Sequence, residues 1–407
     1  MTLSPKQHTL NLLRNVPGLK KQFSKTRSTL KYNNFYFKKV IKNNLSIINN
    51  ILNKNHYSYS KDTFEDIKEI GESASIEINN SCNINCVMCD TKSSTRQKQL
   101  MKLGIFEDSV IKLKKQNIKS ITLHTIGDPL ANVKLKDYLS ILRKHKLPIG
   151  FLSTNGLLIH KHLDTLVEYI DILGNIRFSI DGATKKTYEK IRAGGSWEDL
   201  ISNIKLAEKK LLRQGYEFYF DYIMTLENFS ELGEFFTYFR KYVYSPFNIN
   251  FHFMNSLAPS NKYFLLNNIL PKHTHPNTYC KFVAQTKPHI LADGKISLCC
   301  RDYDGSLVIG NIKGNESLDK LNESLKLQNL KEANLNNDIS KNNYPLCSTC
   351  FIVDRRIEQI WRTTAHYIIF KTKSNNANIF QFKFEKLLNC LNDLSIQNYQ
   401  NLIKQIN

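Results

Sequence analysis

The chain has 407 residues, of which 41% are hydrophobic, so it is long enough to bury the cores of two or more domains. No apolar run approaches the roughly 18 residues that cross a bilayer, and the first residues lack the apolar core of a signal peptide. The sequence therefore predicts no transmembrane segment and a cytoplasmic location. Nine cysteines, an odd number in two main groups, fit reduced thiols better than a disulfide framework.

The positive charge is concentrated at the start of the chain. The formal net charge is +21, and residues 1–61 hold twelve Lys or Arg and neither Asp nor Glu. Such a segment suits nucleic acid, an acidic peptide or an anionic membrane face, but lysine-rich solvated helices would give the same composition. The basic residues do not form a compact block with regular aromatics, so we do not predict nucleic acid as a partner. We expect a basic helical region over residues 1–72.

From residue 74 onwards, short apolar runs alternate with longer segments of helical period. The pattern predicts strands at 76–79, 120–124, 149–153, 176–180, 217–224 and 248–253. It predicts helices at 106–116, 135–145, 160–170, 197–212 and 232–242. Strictly alternating strands and helices indicate an α/β fold with a parallel sheet, in which ligands bind at the carboxyl ends of the strands.

Three cysteines follow the first predicted strand with the spacing C-x3-C-x2-C, namely Cys82, Cys86 and Cys89. Thiolate is the soft ligand that iron-sulfur clusters take, and three thiolates leave one iron of a cubane cluster open to another molecule. A zinc knuckle without its fourth ligand and a chance grouping of buried cysteines are the alternatives.

The spacing resembles the C-x3-C-x-Φ-C signature of the radical S-adenosylmethionine (SAM) superfamily, with Met88 in the usual aromatic position. The resemblance implies a partial (β/α)6 TIM-type barrel over residues 73–256. It also implies a [4Fe-4S] cluster on the three cysteines whose open iron binds SAM. Reductive cleavage of SAM would then give a 5′-deoxyadenosyl radical, which takes a hydrogen atom from a substrate.

The ends of the next predicted strands resemble further elements of that family. Gly127 and Asp128 lie in a segment similar to the "GGE" element, whose acid and backbone hold the SAM ammonium group, and Met88 would pack on adenine. Ser153 and Asn155 belong to an S-T-N-G run similar to the "TNG" element near SAM.

The fourth strand leads into S-x-D-G followed by T-Y-E-x-I-R-x-G-G-x-W, a run that resembles the subfamily with a SPASM or Twitch extension. The resemblance implies that Ser179 and Arg192 contact the SAM carboxylate or ribose, with Asp181 in the same site. The catalytic residues are not identified by these motifs. Polar residues expected to face into the barrel, and therefore to meet substrate, are His124, Asp221, Tyr222 and His252.

A second group of cysteines lies downstream in residues 257–360. Cys280, Cys299, Cys347 and Cys350 resemble a SPASM opening that lacks the continuation for a further cluster, as in the Twitch variant. The resemblance implies a small α+β extension with one fully ligated [4Fe-4S] cluster, and a four-cysteine zinc site is the alternative. Cys300 is expected to be a neighbour without a ligand role, with replacement of Cys299 as the alternative. Cys390 is expected to be a core residue of a helical tail over 361–407.

The resemblance implies a radical SAM enzyme with two [4Fe-4S] clusters, the second used for electron transfer. Its expected partners are a reductant such as flavodoxin or ferredoxin and a substrate, which we predict to be a peptide or protein. The alternatives are dehydrogenation or epimerisation of a sugar-like or cyclitol molecule, and a non-enzymatic iron-sulfur or zinc scaffold that binds nucleic acid.

Overall fold

A computed structural model describes residues 72–211, 218–243, 247–254, 262–267, 287–313, 318–336, 338–339 and 344–348, together with the single positions 280, 283, 350 and 365. The predicted basic region over 1–72, apart from its last residue, and the predicted tail with Cys390 lie outside the described residues. No helix in the described ranges is both long and apolar enough to cross a membrane.

Nine strands form one sheet in the described part of the chain, in the order β6-β5-β4-β3-β2-β1-β7-β8-β9. The six strands of the barrel are parallel, and β7 continues the parallel order beside β1, while β8 and β9 are antiparallel. The strands are β1 (Ser73–Ile76), β2 (Ser120–Thr122), β3 (Ile149–Thr154), β4 (Leu173–Ser179), β5 (Phe218–Met224), β6 (Phe247–Phe253), β7 (His289–Ile290), β8 (Lys295–Ser297) and β9 (Val308–Asn311).

Helices alternate with the barrel strands, which confirms the predicted α/β class. The α-helices are α1 (Leu103–Lys115), α2 (Leu135–Lys144), α3 (Ile159–Glu168), α4 (Lys185–Ile191), α5 (Trp197–Leu211), α6 (Leu232–Tyr242), α7 (Lys262–Asn267), α8 (Leu325–Leu335) and α9 (Pro345–Ser348). Their apolar residues recur every three or four positions, as in α2, where Leu135, Tyr138 and Leu142 are buried. Helix α4 was not predicted, since seven residues are too few to show a helical period.

The first strand lies earlier than predicted. It ends at Ile76, and beyond it Asn79 forms an isolated bridge with Leu100, while the Asn80 side chain binds the backbone of Gln97 and Gln99. The predicted strand at 76–79 is therefore wrong, because residues 77–80 leave the sheet to hold the segment that follows the cysteine loop.

The outer face of the barrel packs on the helices through aromatic side chains. Tyr222 of β5 is fully buried, contacts Phe235 of α6 with ring centroids 4.9 Å apart, and donates its hydroxyl to the Asn228 carbonyl oxygen at 2.8 Å. The prediction that Tyr222 faces into the barrel is therefore wrong. Successive side chains of a strand point to opposite faces, so Tyr222 and its neighbour Asp221 cannot both face inward.

Candidate active site and cysteine centres

The loop with the first three cysteines lies at the carboxyl edge of the sheet, directly after β1. Its backbone is fixed to the end of α4: the Asn85 N–H donates to the Ala193 carbonyl oxygen at 2.8 Å, and the Val87 N–H donates to that of Ile191 at 2.9 Å. The predicted cysteine loop and the predicted I-R-x-G-G motif, about a hundred residues apart in sequence, are thus in contact.

The three thiols occupy graded environments, with Cys86 buried, Cys82 half-buried and Cys89 exposed. Burial raises the pKa of Cys82 to about 11, and the charges of Asp128, Cys86 and Cys89 act in the same direction. Burial also raises the pKa of Cys86. Ionisation of crowded, partly buried thiols costs free energy unless a positive charge lies nearby, and ligated iron would supply that positive charge. The donor set therefore fits an iron-sulfur cluster.

Arg192 lies beside this loop. Its Nη1 lies 3.5 Å from the Cys86 Sγ, and its Nη2 forms an ion pair with the Asp181 carboxylate at 2.5 Å. Burial alone would lower the pKa of Arg192, but the charges of Asp181 and Cys86 raise it, so the guanidinium stays charged. Asp181 adopts a left-handed φ of 27° and accepts the Ile223 N–H at 2.7 Å, which fixes its position.

Several buried polar atoms at this edge have no hydrogen-bond partner. They are the Arg192 Nε, the Tyr188 hydroxyl and the Asn79 Oδ1. Since buried polar groups are nearly always paired, each such atom calls for a partner that the described part of the chain does not provide. A polar cofactor such as SAM at the carboxyl edge would meet donors and acceptors here.

Gly127 and Asp128 follow β2 and contact Ser81, at the start of the cysteine loop. Gly127 has a φ of +82°, and a Cβ built on it would lie 2.6 Å from the Ser81 carbonyl oxygen, so a side chain does not fit. The buried Asp128 carboxylate accepts the Asn155 N–H at 2.7 Å, the Leu130 N–H at 2.9 Å and the Thr154 hydroxyl at 3.0 Å. Its oxygens are thus held by the protein, and contact with a SAM ammonium group stays a prediction.

The remaining predicted cofactor residues lie around the same edge. The Asn155 side chain donates to the Asn83 Oδ1 at 2.8 Å and lies 3.7 Å from the Cys82 Sγ. Ser153 and Ser179 are half-buried residues of β3 and β4. Met88 is only 6% exposed and packs in the main core. Their contacts with SAM remain predictions.

Sequence reasoning did not identify Glu77 and Arg96. The Glu77 carboxylate is fully buried, pairs with Arg96, and accepts the Thr125 hydroxyl and, at 3.1 Å, the Ala292 N–H. One carboxylate therefore joins the exit of β1, the segment after the cysteine loop, the Gly127 loop and the β7–β8 hairpin. The only signal in the sequence was an acidic residue at a polar position of a run in which polar and apolar residues alternate.

The second cysteine group surrounds a small apolar cluster that includes Leu298, Leu327 and Leu346. Burial raises the pKa of Cys347 to about 12 and that of Cys350 to about 11, and the charge of Cys280 adds to both shifts. Cys299 is hydrogen-bonded to the adjacent Cys300, which raises the pKa of the Cys299 thiol. The structure thus brings all four predicted ligands together, with Cys300 beside them.

No three His, Cys, Asp or Glu side chains of the described ranges converge on a single metal-ion position. Each cysteine of a cubane cluster binds a different iron, so cluster ligation does not require one shared point.

Two family models match the chain. The radical SAM superfamily model matches residues 76–239, and the model of the SPASM iron-sulfur cluster-binding domain matches residues 280–351. The barrel and its three-cysteine loop therefore define a member of the radical SAM superfamily. More particularly, the chain is one of the members that carry a SPASM domain after the barrel, and the family calls for [4Fe-4S] clusters and SAM as cofactors.

The chain is also similar to individual proteins. An uncharacterised protein of Methanocaldococcus jannaschii is 25% identical over 139 residues, which is 34% of this chain and 44% of that protein. A GTP 3′,8-cyclase of Synechocystis sp. is 26% identical over 144 residues, 35% of this chain and 42% of that enzyme. The chain thus spans less than half the length of the curated relatives it matches.

Among solved structures, anSMEcpe with bound AdoMet and a peptide matches with a TM-score of 0.51 at 16% identity, covering 75% of this chain and 99% of that chain. At this identity the match shows the fold, a radical SAM barrel with an extension.

Proposed function

We propose that this protein is an enzyme that cleaves SAM reductively and abstracts a hydrogen atom from its substrate. The observation that carries the proposal is the contact between the three-cysteine loop and Arg192, whose Nη1 lies 3.5 Å from the Cys86 Sγ beside buried polar atoms without partners. A reduced [4Fe-4S] cluster held by Cys82, Cys86 and Cys89 would supply one electron to bound SAM, whose cleavage would release methionine and a 5′-deoxyadenosyl radical.

The chain's own residues would bind and orient the cofactor. Cys82, Cys86 and Cys89 would ligate the cluster, and Arg192 would hold the SAM carboxylate, since a guanidinium binds carboxylates in a fixed geometry. Asp181 would keep Arg192 aimed at the site through their ion pair. Asn155 and Tyr188 would supply hydrogen bonds, and the backbone at Gly127 would approach the cofactor closely. Correct orientation matters because one sulfonium bond has to be broken selectively.

The second centre would hold a [4Fe-4S] cluster on Cys280, Cys299, Cys347 and Cys350. A fully ligated cluster has no open iron for substrate, so we propose that it transfers electrons. An external reductant such as flavodoxin or ferredoxin would deliver the electron for SAM cleavage.

For the substrate we propose a peptide or protein. The basic segment over 1–61 supports this choice, because it has the charge to hold an acidic leader peptide. The structural neighbour anSMEcpe was solved with a peptide. Dehydrogenation or epimerisation of a sugar-like or cyclitol molecule is the alternative, supported by the single set of four auxiliary cysteines.

The test is anaerobic reconstitution of the full chain with iron and sulfide, followed by SAM and dithionite. We expect about eight iron atoms per chain and formation of 5′-deoxyadenosine that is lost in Cys86→Ala. A fully reconstituted protein that binds SAM at neither cluster, or a zinc-loaded protein with almost no iron, would contradict the proposal.

A further inference from the structure

The interior of the barrel carries polar groups to which the proposed function assigns no contact with SAM. The inner face of the sheet is opposite the face whose aromatic residues pack on the helices. On this inner face Ser179, Asp221 and Asn250 lie side by side across β4, β5 and β6. On the other side, Ser75 of β1 lies between Thr122 and His289. We call the following six residues the interior set: His124, Phe151, Arg177, Asp221, His252 and His289.

Arg177 is a cation without a counterion. Its guanidinium carbon lies 3.7 Å from the centre of the Phe151 ring and 5.7 Å from that of Tyr219. Its Nε donates to the Asn175 Oδ1 at 3.1 Å, and it forms no ion pair with any carboxylate in the ranges that the structure describes. Stacking fixes the plane of the guanidinium while leaving its donor edge available to a ligand.

The only carboxylate of the interior set is already engaged. The Asp221 Oδ1 accepts the Asn250 side-chain amide at 2.8 Å and lies 3.3 Å from the His252 Nε2. Burial alone would raise the pKa of Asp221, but His252, Asn250 and the charge of Arg177 together lower it. Asp221 is therefore ionised and paired, and it is not close enough to Arg177 to form an ion pair.

Two histidines of the interior set have ring nitrogens without partners among the described residues. His289 is 1% exposed and neither of its nitrogens is hydrogen-bonded to a described residue, and the same holds for the His124 Nδ1. Burial lowers the pKa of His289 to about 3 and that of His124 to about 4. Both rings are neutral at pH 7, so each offers one N–H donor and one acceptor nitrogen.

Lys287 adds a further positive charge next to His289. It has no ion-pair partner in the described part of the chain, and its charge contributes to the lowered pKa of both histidines. The interior therefore combines the cation of Arg177 and unpaired imidazole nitrogens with one carboxylate that already accepts a hydrogen bond from Asn250.

We propose that the barrel interior binds its substrate through a carboxylate group, which Arg177 grips with its donor edge and which His124 and His289 approach with neutral N–H groups. This inference rests on the proposed function, in which the interior faces the reacting atoms. A planar carboxylate matches the two parallel N–H donors of the guanidinium. The substrate carboxylate could belong to an Asp or Glu side chain of a peptide or to a free carboxylic acid, and both bind through the same group.

The test is calorimetric titration of the full chain, reconstituted with both clusters and saturated with SAM under anaerobic conditions. The probes are succinate with its neutral analogue succinamide, and a short Gly/Ser peptide with one Glu beside the same peptide with Gln. We expect one carboxylate probe to bind at least about tenfold more tightly than its neutral counterpart. Binding of succinate alone assigns a free acid, and binding of the Glu peptide assigns a peptide.

Variants identify the contact. Arg177→Met should abolish the preference for the carboxylate, and Arg177→Lys should retain part of it. Arg143→Met is the matched control. Arg143 also stacks on an aromatic ring, with its guanidinium carbon 4.0 Å from the centre of the Tyr169 ring, but it lies outside the barrel and forms an exposed ion pair with Asp171. Thermal melting verifies that each variant is folded, and SAM affinity should be unchanged in Arg177→Met.

Absence of any carboxylate preference that depends on Arg177, or loss of SAM affinity in Arg177→Met, would overturn the inference. The same preparation is assayed for 5′-deoxyadenosine without substrate. If that product forms while no carboxylate binds, only the inference fails. If it does not form, the proposed function fails whatever the probes do.

Discussion

The two cysteine centres lie in different surroundings. At the first, three thiols face an edge with buried, unpartnered polar atoms of Arg192, Tyr188 and Asn79. At the second, four thiols surround leucine and valine side chains, including Val283 and Leu330. The first group of cysteines thus has several unpartnered polar atoms beside it, whereas the side chains packed on the second group are mostly apolar, apart from the buried Asn334, whose Nδ2 has no partner among the described residues. The number of cysteines and the polarity of the neighbouring side chains thus support the same proposal, in which the first group binds a ligand and the second transfers electrons.

The largest expected effect separates the centres by function. Cys86→Ala should abolish 5′-deoxyadenosine formation, whereas Cys350→Ala should retain SAM cleavage without substrate, because in the proposed function SAM binds at the first centre. Each variant should lose about four of eight iron atoms. Product formation by liquid chromatography and iron analysis on the same samples provide the measurement. Equal loss of SAM cleavage in both variants would remove the distinction.

The next effect concerns the buried pair beside Cys86. Arg192→Met leaves the fully buried Asp181 without its partner, so we expect the free energy of unfolding to fall by about 3–5 kcal/mol. SAM affinity should fall about tenfold or more through loss of a charged hydrogen bond. Denaturant unfolding and calorimetry measure the two changes.

The control for Arg192 is Lys136→Met, which breaks the exposed pair with Glu168 and should change the unfolding free energy by less than about 1 kcal/mol. Similar destabilisation in both variants would mean that the pair beside Cys86 is no more important than a surface pair.

A smaller effect is expected at the Gly127 loop. Gly127→Ala places a Cβ against the Ser81 carbonyl oxygen in a left-handed backbone, so we expect a loss of about 1–3 kcal/mol. Iron occupancy of the first centre should fall and that of the second should not. Gly104→Ala in α1 is the control, because no atom lies within 4 Å of the added Cβ. Mössbauer spectra of both variants would show which centre changes, and equal loss at both centres would contradict the expectation.

The smallest effect concerns the thiols of the metal-free protein. Burial raises the pKa of Cys82 to about 11 and that of Cys347 to about 12. Alkylation requires the thiolate, so its rate at each site rises with pH until that pKa is passed. Near pH 9, Cys82 should therefore react about tenfold faster than Cys347. Iodoacetamide labelling with site-resolved mass spectrometry measures the ratio, and faster labelling of Cys347 would reverse the expected order.

Much of the fold followed from local patterns. The predicted helices at 135–145 and 232–242 match α2 and α6 closely, because their apolar residues recur at helical spacing over ten residues or more. The pairing of β7 with β1 was not predicted, since a local pattern does not show which distant strand a short strand joins, and β1 lies more than two hundred residues earlier.

The candidate site likewise has a part that local sequence patterns predicted and a part that they did not. The cysteine spacings and the I-R-x-G-G motif are contiguous in sequence, and the structure brings Cys86 and Arg192 together. Glu77 escaped notice because its partners Arg96, Thr125 and Ala292 lie 19, 48 and 215 residues away. Arg177 and His289 were missed because an unpaired cation or imidazole is recognised only once all its neighbours are known.

The hydrogen-bonded neighbour of β1 on one flank is β7, which comes from the SPASM segment. A protein shortened before that segment would leave the backbone N–H groups of Ser75 and Glu77, which donate to Pro288 and Ile290, open to strands of other molecules, which favours aggregation. The edge of the barrel at β1 is thus covered by residues that are synthesised more than two hundred positions later.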